Sequence, residues 1–235
     1  MLANNNEAII NKLAKNSVKT NKKQYAILFF TIILSAFMLF CVFTIGMTYL
    51  NSSRLQNTRL NGAEYDIVTM NGFTSEQLNT LQQNENIRSV GIESYAGFIQ
   101  STEYDKTVEI GLLWCDEVFW DNLMSPARTK LDGHYPQNKN ELMVTKDILK
   151  TCGNENLSVG DSLILTYENN TGVYTDEFVI SGIWDGYGDT SAGFVSKAFY
   201  DETGYDLKNN GILCIKLNCN YAVSYTHLRA HETAA

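Results

Sequence analysis

His227 and His231 stand four residues apart with Glu232 alongside, a spacing that would put two imidazoles on one helix face as zinc donors. Asp185-Gly-Tyr-Gly-Asp189 sets two carboxylates around glycines, as a calcium loop does. It lacks the alternating ligands and the closing glutamate of such loops, so a Gly-rich surface turn is expected there. Asp116, Glu117 and Asp121 crowd carboxylates as an acid/base pair would, and are expected to form a solvated acidic face. His134 follows Gly133 with no partner in sequence and reads as a solvated loop residue. Of the cysteines, Cys41 lies in an apolar run, while Cys115, Cys152, Cys214 and Cys219 lie beyond it. The last four could form two disulfides, but their spacings fit no compact framework, and Cys214 with Cys219 does not suggest a zinc pair. Free, mostly buried thiols are expected, as suits an anaerobic host. There is no G-x-x-x-x-G-K-[ST] loop, G-x-S-x-G elbow or H-E-x-x-H pair. No residue is assigned a catalytic, cofactor-binding or metal role, and the chain is not expected to be an enzyme.

The histidine pair needs a second reading. It belongs to Val223-Ser-Tyr-Thr-His-Leu-Arg-Ala-His-Glu-Thr233, which looks like the translation of a sequencing-library adapter. Native sequence is therefore expected to end near Tyr221 or Ala222, with residues 222–235 not native. That removes the zinc reading and leaves His134 as the one native histidine.

What could position any chemistry is set by one feature. From Tyr25 to Leu50 there is no charged residue. At about 1.5 Å per residue this run makes a helix of roughly 39 Å. A bilayer core of roughly 30 Å is thus spanned with room for tilt. A signal peptide has an apolar core of about 7–15 residues and a small-x-small cleavage site, and neither fits here. Tyr25 and Tyr49 flank the run, where amphipathic rings favour the headgroup layer.

Charge gives the orientation. Lys12, Lys15, Lys19, Lys22 and Lys23 precede the run against the single acid Glu7, so residues 1–24 are expected in the cytoplasm. From Arg54 to Tyr221 there are 12 basic and 24 acidic residues, which excludes nucleic acid as a natural partner and places this segment outside. Sequence alone thus divides the chain into a cytoplasmic amphipathic basic segment (1–24), a transmembrane helix (25–50) and an extracellular domain (51–221). The first of these sets Ile9, Ile10, Leu13, Ala14 and Val18 on one face, suited to the inner membrane surface and its lipid.

Within the outer segment the helix is expected to continue through Asn51–Asn61. Glu64–Met70 alternates as a strand. Thr74 or Ser75 can cap a helix carrying Leu78 and Leu81. Strands are expected at Arg88–Gln100 and Thr107–Trp114, and a short helix at Val118–Met124. Leu131–Pro136 reads as a turn, Glu141–Val144 as a strand and Thr145–Lys150 as a helix. Leu157–Asp161 is a second turn. Leu163–Tyr167 and Glu177–Trp184 form an antiparallel pair across Asn169–Gly172. Ala198–Gly204 is expected to be helical and Gly211–Leu217 a last strand. The fold class is α+β, a mixed strand–helix lobe followed by a strand-rich one.

Several stretches together are similar to the FtsX-like permease family of ABC transporters, in the branch with a MacB-type extracellular core domain. Asn16-Ser-Val-Lys-Thr-Asn-Lys-Lys23 leads into the span as that family's "S-x-x-R/K-N-K" does. Leu131-Asp-Gly-His-Tyr-Pro136 and Asn140-Glu-Leu-Met-Val144 resemble its "G-x-x-P … E-x-x-[IV]" stretch. Leu157-Ser-Val-Gly-Asp-Ser-Leu-Ile-Leu165 resembles "x-x-G-D-x-[IV]-x-[IL]", and Phe178-Val-Ile-Ser-Gly182 resembles "F-x-[IV]-x-G". The family's later spans are not among these 235 residues, which the adapter reading attributes to truncation.

The resemblance implies the permease subunit of an ABC transporter in a bacterial cell membrane, acting as a homodimer or pseudo-dimer. Its partner would be a separate cytoplasmic P-loop ATPase whose closing moves the helices and the outer domain. Export or extraction of a peptide, lipid or lipoprotein, or signalling, would follow. No cofactor is implied. Two other readings stay open: a single-pass anchored binding or sensor module, and an anchored extracellular hydrolase depending on His134.

Overall fold

The computed structural model describes residues 7–100, 110–187 and 192–218. The chain divides into two compact units, Met1–Arg54 and Leu55–Ala235.

In the first unit, α1 (Glu7–Thr20) leaves Ile9, Ile10, Leu13 and Val18 exposed on the face anticipated from their spacing. A kink at Asn21 separates it from α2 (Lys22–Asn61), a 40-residue helix that is the one long and apolar enough to cross a membrane among the described residues. None of its most apolar window is buried, and Phe29, Phe30, Phe40 and Phe43 are exposed. Its hydroxyls are turned back on the helix. Thr31 donates to Ile27 O at 2.8 Å, Ser35 to Thr31 O at 2.8 Å and Thr44 to Phe40 O at 2.8 Å. That satisfies each hydroxyl without water, as a hydrocarbon surrounding demands. The helix runs through Asn51–Asn61 as expected.

The second unit is α+β and is organised by one nine-stranded sheet. Its strands are β1 (Ile67–Thr69), β2 (Ile87–Ile99), β3 (Ile110–Cys115), β4 (Arg128–Gly133), β5 (Glu141–Thr145), β6 (Ser162–Asn169), β7 (Gly172–Gly186), β8 (Ala192–Val195) and β9 (Gly211–Leu217). β2, β3, β8, β5, β7 and β6 pair in that order, and β6 pairs back to β2 through Phe98↔Glu168 and Ile99↔Tyr167. The result is a closed ring, which leaves no free edge among those strands. β3/β8 and β5/β7 are parallel; the other pairs are antiparallel. β9 and β1 extend from β2, and β4 extends from β7. The two long strands are therefore shared, each bonding the ring along one part and a wing along another.

Closure needs Gly97. The register of β2 against β3 slips between Tyr95 and Gly97. A Cβ on Gly97 would lie 2.7 Å from Glu168 O, at φ +156°, so only glycine lets β6 approach there.

The ring's interior is filled by alternating side chains. Leu163, Leu165 and Tyr167 of β6 point in, while Ile164 stands exposed between them. They meet Ile99, Leu112, Leu142, Phe178, Ile180 and Val195 in one buried cluster. Among the described residues the unit also has four short α-helices: α3 (Ser75–Gln82), α4 (Lys146–Thr151), α5 (Lys197–Tyr200) and α6 (Leu207–Asn210). α3 begins with a full capping box, Gln77 N donating to Thr74 Oγ1 and Thr74 N to Gln77 Oε1.

Two local expectations are corrected. Leu131–Pro136 is not a turn throughout: Leu131, Asp132 and Gly133 belong to β4 and pair with Trp184, Ile183 and Gly182 of β7. Asp185 and Gly186 end β7 against Lys130 and Arg128 instead of opening a surface turn, and Gly188 and Asp189 lie outside the described residues. In both cases a wing strand supplies ladder partners that no local pattern announces. β8 and α6 likewise had no periodic signal of their own. The sequence-read strand Thr107–Trp114 is seen from Ile110 onward, its first residues lying outside the described set.

Candidate functional site

No group of three or more His, Cys, Asp or Glu that could hold a metal occurs among the described residues. His134 is exposed, its Nδ1 3.0 Å from Tyr135 O. Cys115 and Cys214 are buried free thiols, and Cys152 and Cys41 are half-buried and free. Burial pushes the thiols of Cys115, Cys152 and Cys214 above the ordinary range. That makes them poor nucleophiles. Cys219, His227, His231 and Glu232 lie outside the described residues.

The acidic trio is corrected in part. Glu117 and Asp121 are exposed, but Asp116 is half-buried and structural. Its Oδ1 accepts Ile92 N at 2.9 Å and Phe119 N at 2.8 Å, tying β2 to the helix that follows. That helix, Val118–Leu123, is a π turn in which Met124 N donates to Phe119 O at 2.8 Å. It lies flat on the sheet because Gly91 carries no side chain: a Cβ there would meet Phe119 Cα at 2.9 Å.

The π turn covers a second buried cluster, and here the domain's root is built. Phe119, Trp120, Leu123 and Met124 pack with Met143, Trp184, Phe194, Cys115 and Cys214. Ala63, two residues beyond the end of α2, is buried in the same cluster. Glu64 N donates to Leu123 O at 2.7 Å and Asp66 N to Ile215 O at 2.9 Å, so the chain leaving α2 is bonded to the π turn and then to β9. Lys216 of β9 closes the joint with ion pairs to Glu64 at 3.0 Å and Asp66 at 3.4 Å. On the other side, Arg59 of the last turns of α2 lies 3.9 Å from the ring centre of Tyr187. A cleft of about 430 Å³ opens beside this joint, lined by Arg88, Asp121, Ser125 and Lys216 among others.

Tyr135 holds the cluster from within. Its ring packs on Trp120 at 5.0 Å and Phe194 at 6.0 Å. Its hydroxyl accepts Cys115 N at 3.0 Å and lies 3.2 Å from both Cys115 O and Val195 O. It thus bridges the ends of β3 and β8. Burial raises the phenol well above its usual range, which keeps it a neutral donor.

Glu93, on this face, has no ion pair among the described residues. Glu93 of β2 is half-buried, opposite Cys115 of β3 and Ile212 of β9. Burial lifts its carboxyl to about 7. Its charge in turn pushes up Cys115, Tyr135 and Cys214. Sequence reasoning missed Glu93. The only signal was a lone carboxylate in the strand, between Ile92 and Ser94.

No protein-family model matches the chain, and no curated protein does. Among solved structures it is similar to the extracellular domain of the ABC-type transporter YknZ from Gram-positive bacteria, at 14% identity and a TM-score of 0.43, over 66% of this chain and 78% of that one. It is also similar to the periplasmic region of MacB from Actinobacillus actinomycetemcomitans, at 12% identity and a TM-score of 0.43, over 71% of this chain and 80% of that one.

Proposed function

We propose that this chain carries the first span and the extracellular domain of an ABC transporter permease subunit, the outer domain being moved by a separate cytoplasmic P-loop ATPase. The observation that carries the reading is α2: a basic flank, a charge-free run from Tyr25 to Leu50, and final turns from Leu55 that belong to the outer unit. The helix carries no Pro or Gly in its final turns, and a helix resists bending better than a linker does. The order of the motifs around Asn16–Lys23, Leu131–Pro136, Leu157–Leu165 and Phe178–Gly182 supports the same reading. The chain itself is proposed to hydrolyse nothing. What crosses or leaves the membrane is a peptide, a lipid or a lipoprotein, or the motion itself is the signal.

The test is made on the full chain in its host membrane. Protease added to intact cells should cut residues 51–221 while an N-terminal tag stays protected. The tagged chain, solubilised in mild detergent, should bring down a P-loop ATPase whose turnover changes on removal of the chain. Protection of the outer segment in intact cells, or purification with no ATPase, would overturn the proposal.

A further inference from the structure

A second cleft, of about 300 Å³, lies at the far end of the β6–β7 hairpin and has no part in the joint described above. That volume is at the small end of ligand pockets. Tyr167, Tyr174 and Phe199 form its aromatic wall, with Tyr167 to Phe199 ring centres 5.3 Å apart and Tyr167 to Tyr174 5.9 Å. Asp176, Glu202 and Lys139 supply its charges. The cleft is held open by its own bonding. Asn170 N donates to Thr203 O at 3.1 Å and Asn170 Nδ2 to Gly204 O at 3.0 Å, pinning the hairpin turn to the segment after α5.

The charges do not balance. Lys139 is taken by Glu202 at 2.5 Å. Among the described residues Asp176 has no cation against it; its Oδ2 accepts the Tyr167 hydroxyl at 2.7 Å, and Oδ1 is left to accept from a ligand. The phenol of Tyr167 is raised by burial and then by Asp176, Tyr174 and Glu202, as a negative field in the cleft requires. Tyr174, 42% exposed, presents its ring to whatever enters. A carboxylate beside electron-rich rings attracts a cation whose chain is apolar, and rejects an anion.

We propose that this cleft binds an organic cation, an ammonium or guanidinium group on a short aliphatic chain, with Asp176 taking the charge and Tyr174 covering the chain. The group could be that of a free amine or of a Lys or Arg side chain in a polypeptide. The acidity of the surrounding domain, 24 acidic against 12 basic residues from Arg54 to Tyr221, would concentrate either one near the cleft. The inference does not depend on transport, so either can fail without the other.

The experiment is calorimetric titration of the full chain in detergent micelles with agmatine, with N-acetyl-lysine amide and with N-acetyl-glutamate amide. Agmatine should bind, the acidic probe should not, and Asp176→Asn should weaken agmatine by roughly tenfold or more. This variant keeps an acceptor for Tyr167. Should it fail to fold, Tyr174→Ala on the exposed ring should cost a comparable factor. Binding of N-acetyl-lysine amide as tight as that of agmatine assigns the site to a polypeptide side chain, and binding of agmatine alone assigns it to a free amine. No heat with either cation, an affinity unchanged in Asp176→Asn and Tyr174→Ala, or equal binding of the acidic probe would overturn the proposal.

Discussion

Replacing Glu93 by glutamine should stabilise this protein, by an amount that grows as pH rises from about 4.5 to about 7. The residue sits on the covered face of the sheet with no counter-ion among the described residues, and its carboxyl is lifted from an ordinary 4.5 to about 7. A raised folded-state value means that the folded chain holds the proton more tightly than the unfolded chain does. The favourable contribution is complete below about 4.5, where both states are protonated. It is lost as pH climbs through the window from there to about 7, because the unfolded chain ionises first. Above that window the penalty is constant. At about 1.4 kcal/mol per unit, the full loss is about 3 kcal/mol. Glutamine has nearly the same shape and never ionises. At pH 4 the two proteins should melt together. At pH 8 Glu93→Gln should be the more stable by about 3 kcal/mol, which for a domain of this size raises the Tm by roughly 6–12 °C. Thermal melts of wild type and variant in one detergent, at half-unit steps from pH 4 to 8, read the difference directly, since all other titrations cancel. A gap that is the same at every pH, or a variant less stable at pH 8, would refute the reasoning. Either would mean that the carboxylate has a partner or free water.

Three further outcomes follow from single contacts. Gly97→Val drives a branched side chain against Glu168 O, at a site where a Cβ alone would come within 2.7 Å, and should open the β2–β6 seam at a cost of about 2 kcal/mol or more, seen as a lower Tm. Tyr135→Phe keeps the ring packing but strips the hydroxyl bridging Cys115 N and the carbonyls of Cys115 and Val195, and should lose about 1–3 kcal/mol in a denaturant titration. A double-mutant cycle of Arg59→Met with Tyr187→Leu should return a coupling of about 0.5–1 kcal/mol, and a coupling near zero would mean the stacked pair at 3.9 Å does not hold in solution.

The sequence made most of the elements legible and little of what joins them. α2, the capped helix after Thr74, the β6–β7 pair and β9 all carry period or cap signals that act over a few residues. The strands without such signals are those defined by distant partners. β4 is exposed along most of its length and so shows no apolar alternation; what makes it a strand is its pairing with the Gly182–Gly186 stretch of β7. β8 spans Ala192–Val195, too few residues for any period to register. Ring closure is subtler still. It depends on one glycine, Gly97, which sequence alone cannot tell from any other glycine in a strand. The site was the least legible part. Asp116 looked like one of a solvated trio because its neighbours Glu117 and Asp121 are solvated; what distinguishes it is the approach of Ile92 N from the neighbouring strand, beside Phe119 N of the π turn three residues on. Glu93 drew no notice because a lone acid in a strand is ordinarily on the wet face, and here a π turn covers that face.

That covering bears on how the second unit would carry a load applied at the end of α2. The chain leaving α2 does not end in a flexible tether: Ala63 is buried, Glu64 N is bonded to Leu123 O of the π turn, and Lys216 grips both Glu64 and Asp66. A load on residue 61 is thus borne first by the π turn and by β9. Both lead to β2, the π turn through Asp116 and Ile92 N, β9 through its ladder from Ile87 to Ser94. β2 is in turn one of the two strands that complete the ring. The ring has no free edge, so it can tilt or rotate as a body but cannot easily shear a strand away. The soft element is the π turn, whose hydrogen bonding is less regular than that of an α-helix and which rests on Gly91 without interlocking side chains there. Movement at the root should therefore appear as repacking of Phe119, Trp120 and Leu123 over an unchanged ring, with Glu93 beneath them sensing the change in burial.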